Sequence, residues 1–198
     1  MSDSQGNTIN LDGIVLKAGG HTKRDAEALC VMEAVAWVAG EPHSDHPVCA
    51  CPVIGAFLRQ WNDSISTDEA RTRLLKPLVP RLVGSKSTEA VEVRRSYLAL
   101  DWLAREYAPA WLSLRNDLKA HAVALRGLAP LTDTASCAAA QTTLDAALAA
   151  AGAASRAAAG AAAGAAAGDA IAPTVTQLQE SAADLVKRMC AVGKEARP

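Results

Sequence analysis

The clearest helical pattern in the chain is YLALDWLAREYAPAWLSLRNDLKAHAVAL, residues 97–125. Its apolar residues recur at alternating steps of three and four, which is the spacing of one helix face. They are Tyr97, Leu100, Ala104, Tyr107, Trp111, Leu114, Leu118 and Leu125. Pro109 interrupts the pattern and predicts a kink or a division of the helix, because proline lacks an amide N–H and clashes with the preceding turn.

The amino-acid composition favours helices over the whole chain. Alanine, the strongest helix former, accounts for 44 of the 198 residues, whereas aromatic residues make up only 4%. A β-sandwich or β-barrel would need more β-branched and aromatic residues. We therefore predict an all-α protein of six to eight helices. A compact, motif-bearing unit is expected over residues 1–85 and a bundle of longer antiparallel helices over residues 86–198, the two forming one continuous domain.

The alanine-rich segment, residues 135–172, holds 22 alanines. Gly160 and Gly164 lie four residues apart in it, a spacing that lets two helices approach closely. We expect this segment to form a helix that packs against the helices of residues 87–127 or 173–192. Pro173 is expected to begin the last helix, since proline is favoured in a first turn.

The N-terminal part is predicted to contain shorter helices separated by prolines. Helical patterns cover 22–39 with Thr22 as N-cap, 53–61, and a stretch from the capping box at 66–69 to residue 76. Gly40 is expected to end the first of these helices, and Asn62-Asp63 to stop the second. Pro42, Pro47 and Pro52 predict a loop over 41–52, and Pro77 and Pro80 predict breaks after the third helix.

The charge distribution bears on the partners of the protein. Residues 1–70 hold four basic and ten acidic side chains, whereas residues 71–126 hold eleven basic and five acidic ones. The net charge is only −1, so nucleic acid is not expected as a partner, and a small molecule or another protein is. An odd number of cysteines, a polar N-terminus and the lack of a long apolar run predict a reduced, cytoplasmic protein without a membrane span.

Reactive side chains are concentrated between residues 21 and 63, most densely in HSDHPVCACP, residues 43–52. Imidazoles and thiolates are preferred ligands of zinc. Cys30 and Glu33 lie about one helical turn apart and can face one pocket. One hypothesis is therefore a site between helix 22–39 and loop 41–52 in which Cys30, Glu33, His46 and Cys49 bind zinc or another divalent metal.

Two other interpretations fit the same residues. In one, a cysteine thiolate is a nucleophile beside His46 or His21, and Asp45 or Asp63 orients the imidazole. In the other, these residues only pack and cap turns. Glu33 argues against the second interpretation, because a carboxylate inside an apolar helix needs a partner if it is buried.

A set of short motifs in the first 85 residues resembles small helical proteins of high-GC actinobacteria and their phages. The motifs are AGGH (residues 18–21), CVMEAVA (30–36), GEP (40–42), SDHP with Cys49 (44–49), PVI (52–54) and WND (61–63). The resemblance extends to the alanine-rich tail in composition only. It implies a source and a block of motifs; it carries no established activity.

Together these patterns predict a small metal- or thiol-dependent enzyme, with hydrolysis as a candidate reaction. The predicted catalytic residues are Cys30, Glu33, His46 and Cys49, and the predicted substrate-binding residues are His21, Asp45 and Asp63. The alternative is a non-enzymatic helical interaction or regulatory protein of phage or bacterial origin.

Overall fold

Helices dominate the structure, a computed structural model that describes residues 11, 13–22, 28–158 and 167–194. It is 70% helical and contains two short strands. Seven of the described helices have eight or more residues, which confirms the predicted all-α fold of six to eight helices. None of the helices in the described parts of the chain combines the length and the hydropathy that a membrane span requires.

The chain divides into two compact units, Met1–Thr88 and Glu89–Pro198. The first unit contains β1 (Val15–Leu16), β2 (Ala28–Leu29), α1 (Val31–Val38), α2 (Pro52–Ser64), α3 (Asp68–Leu75), a 3-10 turn (Lys76–Leu78) and α4 (Val79–Leu82). Strands β1 and β2 are parallel, with Leu16 opposite Leu29. Helix α1 is almost entirely buried and packs against α2 and α4, so it forms the core of this unit.

The predicted helix over residues 22–39 is wrong at residues 28–30, and its residues 23–27 lie outside the described part of the chain. Residues 28–29 are extended, and α1 begins only at Val31 with Cys30 as its N-cap instead of Thr22. The reason is a capping box that the sequence pattern did not identify: Glu33 accepts the Cys30 N–H while the Cys30 sulfur accepts the Glu33 N–H. Gly40 ends the helix as predicted, with a φ of 70°.

Two further boundaries differ from the expectation. Helix α2 continues through Asn62 and Asp63, because the Asn62 side chain is fully buried and bonded to the backbone of Lys17 and Val31. As predicted, α3 ends before Pro77; Pro77 and Pro80 each lie in the first turn of a short helical element, where proline is tolerated. The capping box predicted at residues 66–69 is wrong in register: the N-cap of α3 is Thr67, whose hydroxyl accepts the Ala70 N–H, and the alanine at the third helical position has no side chain that can return the bond.

The second unit contains α5 (Glu89–Trp102), a π-helical turn (Leu103–Tyr107), α6 (Ala108–Leu112), a 3-10 turn (Asn116–Leu118), α7 (Lys119–Arg126), α8 (Thr134–Ala158) and α9 (Ala167–Ala191). The π-helical turn lies immediately before the turn that holds Pro109. Proline cannot donate to the ladder of hydrogen bonds, so the wider turn accommodates it. The helix is thus distorted next to Pro109, as predicted, but it ends only at Leu112, and residues 113–118 separate it from α7.

The alanine-rich helix α8 packs on α7, as predicted. Ala147 and Ala154 join a buried cluster with Leu118, Ala122 and Leu125. Gly160 and Gly164, the expected contact points, lie outside the described residues. Pro173 is inside α9 and does not begin it, because the helix-forming alanines before it extend the helix toward its N-terminus.

Candidate functional site

Glu33 is the centre of a buried polar network in the first unit. Its side chain is 2% exposed and projects from the first turn of α1. Oε1 accepts the backbone N–H of His21 at 2.7 Å. Oε2 accepts the Cys30 N–H at 2.7 Å and the Nδ1–H of His21 at 2.8 Å. The predicted need for a partner of a buried Glu33 is thus met by three donors.

The carboxylate of Glu33 is ionised at neutral pH. Burial acts to raise the pKa of Glu33, but the backbone N–H groups of His21 and Cys30 and the His21 ring together outweigh it and hold the pKa below its ordinary value. An ionised carboxylate can only accept hydrogen bonds, so His21 Nδ1 must be the donor. The lone pair of the neutral ring is then on Nε2, and the His21 side chain is 14% exposed.

His43 and Asp63 hold the chain around His21. Nε2 of His43 donates to the backbone carbonyl of His21 at 2.8 Å and lies 3.5 Å from Oε1 of Glu33. Oδ1 of Asp63 accepts the Gly19 N–H at 2.8 Å and an N–H of the Asn62 side chain at 2.9 Å. The segment that carries His21 is therefore fixed to the loop after α1 and to α2.

Asp63 adds a negative charge close to His21. Burial acts to raise the pKa of Asp63, but the Gly19 N–H, the Asn62 side chain and the positive charges of Arg71 and His21 lower it overall. Because His21 is among the causes of this shift, the two side chains interact electrostatically. Two carboxylates, Glu33 and Asp63, therefore lie near the His21 ring.

The surroundings of Cys30 indicate a structural role. Its side chain accepts the Glu33 N–H at 3.4 Å, and the residue is 3% exposed. Burial raises the pKa of the Cys30 thiol to about 12. Since the thiolate is the reactive form of cysteine, the protonated Cys30 serves as the N-cap of α1 and is poorly suited to act as a nucleophile at neutral pH.

Two other predicted residues belong to separate groups of hydrogen bonds. The Cys49 N–H donates to Oε1 of Glu41 at 2.8 Å, and burial raises the pKa of the Cys49 thiol. Nδ1 of His46 lies 2.6 Å from Oδ1 of Asp45, in a pair whose imidazole is 67% exposed. Among the described residues, no hydrogen bond connects either group to Glu33.

The predicted set of metal ligands does not come together. Within the described parts of the chain, no group of three or more His, Cys, Asp or Glu side chains is placed to hold a metal ion. The structure therefore contains no four-ligand site made of Cys30, Glu33, His46 and Cys49. Metal binding itself stays a prediction, which elemental analysis of the purified protein tests.

Three residues of the network were not among the predicted site residues. They are His43, which holds the His21 backbone, Asn62, and Arg71, which bonds to the Asn62 carbonyl. Arg71 is 2% exposed and donates from Nε to the Asn62 carbonyl at 2.8 Å. His43 lies in the dense motif of residues 43–52, and this position could have identified it as a site residue. Nothing in the local pattern distinguishes Arg71 from its exposed neighbour Arg73.

Comparison with known proteins identifies no relative of this chain: no family model, no curated protein and no solved structure matches it. Its function is therefore inferred from the geometry of its own residues.

Proposed function

We propose that the protein is a small hydrolytic enzyme in which His21 is the general acid–base and Glu33 its positioning residue. One observation carries this proposal. The ionised carboxylate of Glu33, 2% exposed, bonds to Nδ1 of His21 and leaves the other ring nitrogen as the proton acceptor. A buried carboxylate that orients an imidazole is the arrangement by which many hydrolases fix the tautomer of their catalytic histidine.

The proposed chemistry needs only these side chains and water. Nε2 of His21 removes a proton from a water molecule as the water oxygen attacks the substrate. The imidazolium that forms is stabilised by the negative charges of Glu33 and Asp63. His21 then returns the proton to the leaving group, which restores the neutral ring.

The predicted thiol chemistry has weaker support than acid–base chemistry. Cys30 is buried with a pKa raised to about 12, and the pKa of Cys49 is raised as well. Neither thiol is activated by its surroundings. In this proposal Cys30 caps α1, and His46 and Asp45 have no part in the proton transfer.

The alternative function is that of a helical interaction or regulatory protein. One observation favours it: two of the three hydrogen bonds to Glu33 come from backbone N–H groups, those of His21 and Cys30. Such bonds hold a loop to a helix whether or not the histidine reacts. In this alternative the network is a clamp that fixes residues 17–22 on α1 and α2.

A small molecule is the proposed partner and the cytoplasm the proposed location. All five cysteines are free, which supports a reducing compartment. The near-zero net charge gives no support to nucleic-acid binding.

Hydrolysis of a panel of chromogenic esters, phosphates, glycosides and amides tests the proposal. We expect turnover of one class, and we expect His21→Gln to lower kcat by about 10²- to 10⁴-fold with a small effect on KM. His121→Gln, which replaces a histidine of α7, is the matched control and should keep full activity. Absence of turnover with every class, or full activity of His21→Gln, would favour the interaction protein instead.

A further inference from the structure

A cavity of about 200 Å³ lies among α1, the loop that precedes α2, and α2 itself. Its walls include Met32 from α1, Pro47 from the loop and Gly55 from α2. Pockets for drug-sized ligands usually have volumes of about 300–1,000 Å³. The cavity therefore has the size for a small organic molecule, and its apolar walls can contact an apolar group.

The polar lining of the cavity is basic. The basic residues His46, Arg59 and Lys86 line the cavity, and no Asp or Glu lines it in the part of the chain that the structure describes. This is notable in a region where residues 1–70 hold ten acidic side chains and only four basic ones. An arginine, a lysine and a histidine at a small cavity favour an anionic ligand.

Arg59 is available to such a ligand. Its Nη1 donates to the backbone carbonyl of Asp45 at 3.0 Å, and among the described residues it makes no ion pair. The remaining N–H groups of a guanidinium form a planar fork that matches the oxygens of a phosphate or a carboxylate. The Asp45 carboxylate is engaged by Nδ1 of His46 at 2.6 Å, so Nε2 is the ring nitrogen that a ligand can reach.

We propose that this cavity binds a small phosphate monoester. The phosphate group carries a charge of about −1.5 to −2 at neutral pH, which matches the two positive charges of Arg59 and Lys86 better than a carboxylate does. His46 supplies a further hydrogen bond, and the walls at Met32 and Pro47 contact the organic group. This site does not involve His21 or Glu33 and stands independently of the proposed hydrolytic function.

Calorimetric titration of the full-length protein with phenyl phosphate tests the assignment. Benzoate and benzyl alcohol serve as the carboxylate and neutral comparisons. We expect phenyl phosphate to bind, benzoate to bind more weakly, and benzyl alcohol to bind weakest. Arg59→Gln and Lys86→Gln should each lower the affinity for phenyl phosphate by about tenfold or more, because each removes a charge-assisted hydrogen bond. Arg81→Gln, an exposed charge of α4 outside the cavity, should leave the affinity unchanged.

Gly55→Ala changes the shape of the cavity without changing its charge. A Cβ at Gly55 would lie 3.3 Å from Cε of Met32 and 3.3 Å from Nη1 of Arg59, so it narrows the cavity. We expect weaker binding of phenyl phosphate by the folded variant. Lys86→Gln, at an exposed position, keeps the test valid if Arg59→Gln does not fold. No binding of phenyl phosphate, affinity unaffected by Lys86→Gln, or equally tight binding of benzoate would overturn the phosphate assignment.

Discussion

Glu33 is the side chain on which the candidate site depends, because one carboxylate satisfies three donors from two segments of the chain. In Glu33→Gln the amide can accept through one oxygen only, and its NH₂ group faces N–H donors. We expect this variant to unfold at lower denaturant concentration, with a loss of about 1–3 kcal/mol. The control is Glu69→Gln, at an exposed position of α3, which should change stability by less than about 0.5 kcal/mol.

The contribution of Glu33 to stability should depend on pH. Its pKa in the folded protein is below its ordinary value, so its contribution is complete above the unfolded pKa, about 4.3, and is lost as the pH falls through the folded value. The stability difference between wild type and Glu33→Gln should therefore be constant near neutral pH and shrink below about pH 4. Denaturant titrations at several pH values measure it, and a difference that grows in acid would contradict the assigned direction of the shift.

At the scale of elements, Arg71 connects the end of α2 to α3. Its guanidinium donates to the carbonyls of Asn62 and Ile65 and pairs with Asp68. A lysine has no planar fork and cannot make these bonds together. Arg71→Lys should therefore lower the free energy of unfolding by about 1–3 kcal/mol. Arg73→Lys, at an exposed position of the same helix, is the matched control, and an equal loss in both variants would argue against this role of Arg71.

Gly193 ends α9 with a φ of 85°, a conformation that favours glycine. A Cβ there would lie 3.0 Å from Cγ2 of Val91 on α5. Gly193→Ala should lower the melting temperature, with a loss of about 1–2 kcal/mol from strain and contact. Gly127→Ala is the comparison: its φ is −79° and the nearest atoms are at 3.5 Å, so its melting temperature should be unchanged or slightly higher.

Periodic and capping patterns predicted the elements better than they predicted the site. The pattern over residues 97–125 did not show the turn at 113–118 that separates α6 from α7. The helical residues 97–112, the distortion beside Pro109 and, within one residue, the start of α3 followed from local rules of spacing and capping. The start of α1 did not, because Cys30 is an uncommon N-cap and the deciding bond comes from the Glu33 side chain. The burial of Asn62 and Arg71 depends on β1 and on α1, which are distant from them in sequence. Local sequence patterns carry no information about such long-range contacts.

For the molecule as a whole, the chemistry-bearing residues of the first unit separate into distinct groups. Sequence proximity suggested one site for Glu33, His46 and Cys49. In the folded chain Glu33 instead bonds to His21, His46 to Asp45 and Cys49 to Glu41. A loop with three prolines can direct neighbouring side chains to different partners, which sequence spacing alone does not reveal. The second unit consists of helices whose core combines alanines with large apolar residues such as Leu125, Leu185 and Met189.

The central claim is that Glu33 fixes His21 as a base through Nε2. Proton–nitrogen correlation NMR of the histidine rings, on the full-length protein at mildly alkaline pH, tests it most directly. The account predicts that neutral His21 carries its proton on Nδ1, whereas free histidine favours a proton on Nε2. In Glu33→Gln this preference should weaken. A His21 ring with its proton on Nε2 in the wild-type protein would contradict the account.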